Sequence, residues 1–525
     1  MSIQPDSLAK ATGAGVKNSA FKQAVTVLPR KVLVFGVFDP SKAATVTEDV
    51  PVQVNSPEDA GSKFGFGFMI ERLVRRVFVG TKGDIPVYVS PQAEDGGAVQ
   101  ASGNVDFAGS AGVKAGDVKL YIAGDLVVNF TVADADDEDA IAIKCAAAVN
   151  AIKELPVTAA VDGVTTSQVN FTAKSGGTWG NDISIAFNLE VGDELPTGVT
   201  AAVVDMSGGL TVPSIANALS ALGDGTDANA DYFTDVVHGY QLDSTTLDAF
   251  SAYVGEGDEF SGLYDKLVAR PFRVFTGDVT AGTAGLDALI VISDDRLTDR
   301  GNGVIPVPGS PSHPSEIAAN TVGYIARINN VRAEESYEDG ILEAVRPGDK
   351  ADRWTADYTN GRDKAVKNGI STTKVKNGVV TLQDVITFYR PESVPVDSNG
   401  YRSARDISIT QNVLYSTVNT FNAEKWKGIS IVEDVTKVTN PDSKIKARDI
   451  NSIRQELVQL VSSWAQRAWL YNDTFSINEL KKEGSIVIRP GGKGFDFTLR
   501  VVYSGEGGII NGTIEFDISL AIVLG

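Results

Sequence analysis

Lys31-Val32-Leu33-Val34-Phe35-Gly36-Val37 reads as a strand, and the residues after it alternate between helix and strand patterns. A short strand at Pro51 to Val54 precedes Ser56-Pro57-Glu58-Asp59, where Ser56 is placed to cap a helix and Pro57 to fill its first position. A second helix is predicted over Gly67 to Phe78 and a strand over Ile85 to Ser90, and Pro91 breaks the pattern. The alternation resumes after Gly208-Gly209. It gives helix Pro213 to Leu222, strand Phe233 to Val237, helix Ser244 to Tyr253 and strand Phe272 to Phe275, then a helix near Gly282 to Ala288, strand Val304 to Val307 and helix Ser315 to Asn329. Strands alternating with helices imply a largely parallel sheet covered on both faces. The expected fold class is therefore a multidomain mixture of α/β and α+β.

Between the two halves of that pattern, residues 95 to 205 read differently. Short strands at Val118 to Ile122, Asp125 to Val132, Val169 to Ala173, Ile183 to Leu189 and Val199 to Val204 surround one alanine-rich helix, Asp137 to Ile152. Turn signals such as Asp162-Gly163 and Ser175-Gly176-Gly177 separate them, so an inserted, mainly β domain is expected. Beyond Arg346 the sequence predicts strand Gly378 to Thr387, helices Arg405 to Phe421 and Asp449 to Leu470, and strands Ser485 to Arg489 and Phe495 to Tyr503. The domain boundaries that follow are an N-terminal arm at 1–30, the start of the α/β core at 31–94 and the inserted domain at 95–207. An α/β domain at 208–345, a C-terminal domain at 346–504 and a C-terminal arm at 505–525 complete the chain.

At 525 residues and 43% hydrophobic content the chain can fill more than one core. No apolar run approaches the roughly 20 residues of a membrane-spanning helix. Met1 to Lys22 is polar and has no apolar stretch of the secretory kind, so no signal peptide is expected. The single cysteine, Cys145, excludes a disulfide within the chain and is expected to pack as a small apolar residue on its helix. A net charge of −20 argues against a general nucleic-acid binder, because phosphate contacts require a basic face. The charge is uneven: Asp95 to Asp205 holds sixteen acidic residues against five lysines, whereas the first 31 residues carry Lys10, Lys17, Lys22, Arg30 and Lys31 against Asp6.

Catalytic and metal chemistry find little to work with. His238 and His313 are the two histidines, too few for a histidine-rich metal site, and neither stands beside a Gly-x-Ser-x-Gly turn. Asp134 to Asp139 lacks the glycine and the final glutamate of a calcium loop, and acidic residues at a helix start favour the positive end of its dipole. Gly61 to Gly67 lacks the spacing and the Lys-Ser/Thr of a phosphate loop. No catalytic residue, cofactor or metal is expected, and a hydrolase is the weakest of the functional readings.

Two features point instead to partners. From Thr513 to Leu524, Ile514, Phe516, Ile518, Leu520 and Ile522 fall on every second position behind the flexible Gly505-Glu506-Gly507-Gly508. A tethered apolar strand of this kind must find a sheet edge, and another copy of the protein supplies one. The second feature is the helix predicted from Asp449, whose stripe of Ile450, Ile453, Leu457, Leu460, Val461, Trp464 and Ala468 is core-like. Lys446, Arg448, Arg454 and Arg467 lie around it, a solvated charged face or a contact for an acidic partner.

Several stretches resemble the contractile tail sheath proteins of bacteriophages, the Mu-like type most of all. Ser56-Pro57-Glu58-Asp59-Ala60 with Phe64-Gly65 and Met69 to Arg72 resembles the N-terminal helix pair. Gly176-Gly177-Thr178-Trp179-Gly180-Asn181-Asp182-Ile183 and Leu195 to Thr200 resemble the inserted domain, and Asn368 to Ser371 with Asn377 to Tyr389 the C-terminal one. The resemblance runs from about residue 30 to the end. It implies a subtilisin-like α/β domain in fold but not chemistry, hexameric rings stacked around a tail tube, and contraction that drives the tube through a host envelope. It also implies N- and C-terminal arms that add strands to neighbouring subunits, the tail tube, baseplate and tail terminator proteins as partners, and a place in the virion tail after assembly in the bacterial cytoplasm. A headless phage-derived particle is the alternative, and a surface adhesin is disfavoured by the absent signal peptide. The long basic arm and a less acidic stretch before the last strands depart from the family pattern.

Overall fold

The computed structural model describes residues 26–109, 112–124, 126–223, 232–255, 261–265, 269–390 and 399–505. The chain divides into a larger unit, Leu28–Val418 with the residues from Tyr503, and a smaller one that includes Asn419–Val502.

The larger unit is organised by a six-stranded sheet. Its strands are β1 (Val32–Val37), β2 (Val52–Val54), β3 (Val87–Gln92), β11 (Asp235–His238), β12 (Arg273–Asp278) and β13 (Asn302–Pro306), in the order β13-β12-β11-β1-β3-β2. All pairs are parallel except β2 on β3. The run Lys31 to Val37 supplies its central strand: β1 is buried along its whole length, with Val32 opposite Val87 on one side and Asp235 on the other. The alternation predicted a parallel sheet because each crossover helix must return the chain to the same end.

Those helices are α1 (Pro57–Phe64), α2 (Met69–Thr81), α4 (Ala216–Ala221), α5 (Ser244–Val254), α6 (Gly282–Asp294) and α7 (Pro314–Val331). Ser56 caps α1 by accepting from Asp59 N at 3.1 Å, with Pro57 at the first position. Helices α2 and α7 touch backbone to backbone, because Gly80 and Gly323 carry no side chain. A Cβ at Gly80 would lie 2.3 Å from Asn320 O, and one at Gly323 2.5 Å from Val77 O.

Residues between β3 and β11 form two antiparallel sheets. One runs β10 (Val199–Ser207), β4 (Gln100–Gly109), β8 (Gln168–Gly176), β7 (Val157–Val161); the other runs β6 (Leu126–Val132), β5 (Gly116–Ile122), β9 (Ile185–Phe187). Phe107 of the first sheet meets Phe130 and Phe187 of the second edge-on, at 6.4 and 6.1 Å. Helix α3 (Glu138–Asn150) is capped by Asp137, and its Cys145 is fully buried, the thiol pushed up to about 12 by burial. Strands β4 and β7 escaped the sequence reading: β4 alternates, but its inward positions include Ala101 and Gly103, too small to register as an apolar face.

A short helix α8 (Lys364–Lys367) leads to a hairpin of β14 (Thr372–Lys376) and β15 (Val379–Asp384). Asn377 and Gly378 both hold positive φ, the two-residue turn that matches strand twist. The predicted strand Gly378 to Thr387 is thus shorter by its turn residue and by the stretch after Asp384. The hairpin is bonded to the main sheet, Thr373 Oγ1 donating to Pro306 O at 2.6 Å. Helix α9 (Ala404–Asn422) follows.

The smaller unit contains β16 (Ser430–Ile431), α10 (Pro441–Lys446), β17 (Ala447–Arg448), α11 (Ile450–Gln466), α12 (Thr474–Glu479) and a hairpin of β18 (Ile486–Ile488) and β19 (Phe495–Phe497). Asp449 and Ser452 form a reciprocal capping box at the start of α11. Ile453, Leu457, Leu460, Val461 and Trp464 are buried as the stripe required, but Ala468 lies beyond the helix in an exposed left-handed turn. The strand predicted from Phe495 to Tyr503 pairs only as far as Phe497. Val502 O instead accepts from Tyr471 N at 3.0 Å.

Candidate assembly surfaces and their buried supports

Ile514, Phe516, Ile518, Leu520 and Ile522, expected from the sequence to form an inter-subunit strand, lie outside the described residues, as does most of the N-terminal arm. The basic positions are described, and the structure separates them by role. Lys444 and Lys446 are exposed on α10, flanking Ile445, which is 71% exposed. Arg448 turns back to donate to Ile445 O, Ala447 O and Lys425 O and lies 5.5 Å from the Trp426 ring. Arg454 donates to Leu480 O at 3.0 Å and to Asn451 Oδ1 at 2.7 Å. Arg467 lies over Trp469 at 5.6 Å. Of the four candidates, Lys446 is outward, while three guanidinium groups also serve local packing. Asn419–Val502 holds thirteen basic against ten acidic side chains, a net of +3 in a chain of −20.

Both histidines are buried in the larger unit. His313 caps α7 and binds on both nitrogens: Nε2–H donates to Trp179 O at 2.9 Å, and Nδ1 accepts from Ser315 N and Oγ at 3.3 and 2.9 Å. The Trp179 indole N–H donates to Ser315 Oγ at 3.0 Å. Burial pushes His313 down to about 4, so it is neutral. His238 stacks on Phe250, its Nδ1 accepts from Tyr240 N, and burial pushes it down to about 3. The Ser315–His313 contact has the residue types of a nucleophile and base, but neither side chain reaches solvent.

Two buried ionic clusters were not visible in the sequence. Glu316, on α7, accepts two parallel bonds from Arg72 at 2.8 Å each and one from Arg76 at 2.6 Å, with all three side chains almost fully enclosed. Burial alone would raise Glu316, and the two guanidinium groups outweigh it and hold the carboxyl near 2. In the other cluster Arg273 pairs with Asp235, and its Nη1 donates to Ser408 Oγ at 2.6 Å. Arg30 is buried beside it, bonded to Gln411 and to Ser408 O, and burial brings it down to about 10. Leu28 N donates to Asn412 Oδ1 at 2.9 Å. The end of the predicted N-terminal arm is therefore clamped by α9. Sequence reading assigns such charges to the surface by default, and the partners lie too far apart along the chain to reveal a pair.

No helix among the described residues is long and apolar enough to cross a membrane, and no group of three or more His, Cys, Asp or Glu among them is arranged to hold a metal.

No protein-family profile matches the chain. Among curated proteins, the Mu-like prophage FluMu tail sheath protein of Haemophilus influenzae is 24% identical over 437 residues, 82% of each chain. Among solved structures, the sheath tail protein of Desulfitobacterium hafniense aligns over 88% of this chain and 91% of its own at 11% identity and a TM-score of 0.40. The helical sheath of the anti-feeding prophage in its contracted state aligns over 97% of this chain and 100% of its own at 12% identity and a TM-score of 0.39. The resemblance expected from the sequence motifs is borne out: along most of its length this chain is similar to a Mu-like prophage tail sheath protein.

Proposed function

We propose that the chain is the structural subunit of a contractile tail sheath, polymerising as stacked hexameric rings around a tail tube and contracting to drive the tube through a host envelope. The observation that carries this reading is the similarity to a prophage tail sheath protein over 82% of both chains. The sheath of a phage and that of a headless injection particle are equally compatible with it. Baseplate and tail terminator proteins are the further partners, and the virion tail, assembled in the bacterial cytoplasm, is the location.

In this reading residues 31–94 and 208–345 make the subtilisin-like domain, supported by their sharing one six-stranded sheet. Residues 95–207 are an insertion on the outside of the cylinder, where their acidity keeps particles apart. The smaller, basic unit faces the tube. Its contact is electrostatic and weak enough to be released on contraction, and it is centred on Lys446 with Arg448, Arg454 and Arg467 around it.

Reversing Lys446 to Glu tests the tube contact with little cost to folding, because its side chain is exposed. Co-sedimentation of sheath with purified tube is expected to weaken, while polymerisation of sheath alone persists. Wild-type attachment should weaken with added salt, since exposed pairs are screened over about 10 Å at 0.1 M. The triple reversal Lys446→Glu, Arg448→Glu and Arg454→Glu should weaken it further, with some loss of stability from the lost carbonyl bonds. Tube binding equal to wild type in both variants would remove the assignment.

A further inference from the structure

Thr178–Asp182 forms a short 3-10 turn seated at the carboxyl ends of β11 and β12. Several contacts that do not titrate near neutrality hold it and its flanks there. Trp179 is enclosed against His313 and Ser315, with indole and imidazole centroids 4.6 Å apart. Asn181 Oδ1 accepts from Gly209 N at 2.7 Å, and its Nδ2 donates to Gly209 O at 3.0 Å. Ser184 Oγ donates to Pro311 O at 2.5 Å.

Asp182 is the exception. Its Oδ2 accepts from Gln241 Nε2 and borders a cavity of about 380 Å³ whose other charged lining residues are Asp243 and Asp278. Asp278, at the end of β12 and 8% exposed, accepts from Thr280 N and Oγ1, both at 2.8 Å. Asp243 caps α5 and accepts from Thr246 N and Oγ1 at 2.8 and 2.9 Å. No Lys or Arg is among the described residues that line the cavity. Pro314, the first residue of α7, forms part of the wall and has no N–H to offer an anion. His313, which precedes Pro314, is neutral and committed on both nitrogens, and His238, which ends β11, is kept neutral by burial.

Asp182 and Asp278 border one cavity with no cation on its wall, so the two cannot both ionise cheaply. We propose that this seam is a proton-dependent latch: Thr178–Asp182 seats against the strand ends with Asp182 protonated, and loss of that proton to solvent loosens the seat. Burial and the charge of Asp278 push Asp182 up to about 7, against an ordinary value of 3.8. The seated segment therefore binds a proton that the released segment gives up. Seating is at full strength below about pH 4, weakens about tenfold per pH unit as pH rises, and levels off above about pH 7. The sign is opposite to that of a carboxylate held by a cation.

Hydrogen exchange of the full chain, followed by mass spectrometry at pH 5, 6, 7 and 8 and corrected for the intrinsic rate, reads this directly. Peptides covering residues 178–184 should lose about fiftyfold of protection between pH 5 and 7 and about twofold more by pH 8, with α7 as the internal reference. Asp182→Asn, neutral at every pH, should flatten the profile. Asp278→Asn leaves Asp182 able to titrate but removes its charged neighbour, so the loss should level off at lower pH and be smaller in total. A wild-type profile already flat from pH 5 to 7, an Asp182→Asn profile as steep as wild type, or an Asp278→Asn profile unmoved would each overturn the latch.

Discussion

Truncation after Gly508 is expected to leave a folded monomer that no longer forms sheath. In the sequence beyond it, Ile514, Phe516, Ile518, Leu520 and Ile522 fall on every second position, the pattern expected of a strand with one apolar face. Each such side chain contributes roughly 1.5–3 kcal/mol when buried. Against this stand the ordering of the tether and the loss of rotational freedom on association, so a few lost side chains are enough to remove the surplus. Substituting Phe516 and Leu520 by Asp should act like truncation, whereas Glu515→Ser and Asp517→Ser, at the alternate positions of the sequence, should be mild. Analytical ultracentrifugation reports the assembly and circular dichroism the fold. Sheath formed in full by the truncated chain would end the reading of this segment as an interlocking strand.

The largest effect on the subunit itself is expected at Glu316. Glu316→Gln leaves Arg72 and Arg76 enclosed with no anion between them, and breaking a buried ion pair from one side costs about 3–5 kcal/mol. Chemical denaturation at pH 7 should show the loss as a lower midpoint with an unchanged slope. The pH dependence carries a second signature. The folded carboxyl is held near 2, below its ordinary 4.5, so its contribution is complete above about pH 4.5 and is lost as pH falls toward 2. His313, held near 4 against an ordinary 6.5, adds a loss between about pH 6.5 and 4, because the unfolded chain takes up the proton first. Wild type should therefore lose stability on acidification from pH 6 to 3, and Glu316→Gln should lose less over the lower part of that range.

The parts of the fold that were legible in the sequence are those governed by local rules. Ser56, Asp137 and Asp449 marked their helix starts because a side-chain acceptor before an unpaired N–H is a local arrangement. Helix α11 was legible because five large apolar residues repeat at helical spacing within its 17 residues. The parallel sheet followed from alternation alone. Strands β4, β7 and β14 were not legible, since Ala, Gly and Thr at inward positions carry little hydrophobic signal.

The candidate surfaces divide in the same way. Lys446 could be read as an outward charge, whereas Arg448 and Arg454 could not be recognised as bonded to carbonyls that lie elsewhere in their unit. The Arg72–Glu316 pair spans 244 residues, a distance at which no periodicity operates. Trp179 and Asp182 stood out as part of a family-like stretch, but their burial against His313 and Gln241 required the folded chain.

Negative-stain electron microscopy of the purified full-length chain, concentrated alone and in the presence of tail tube, tests the sheath assignment most directly. Hollow tubes or rings with an open centre are expected, and they should be lost on truncation after Gly508. A protein that stays monomeric at every concentration, with tube and without, would contradict the assignment.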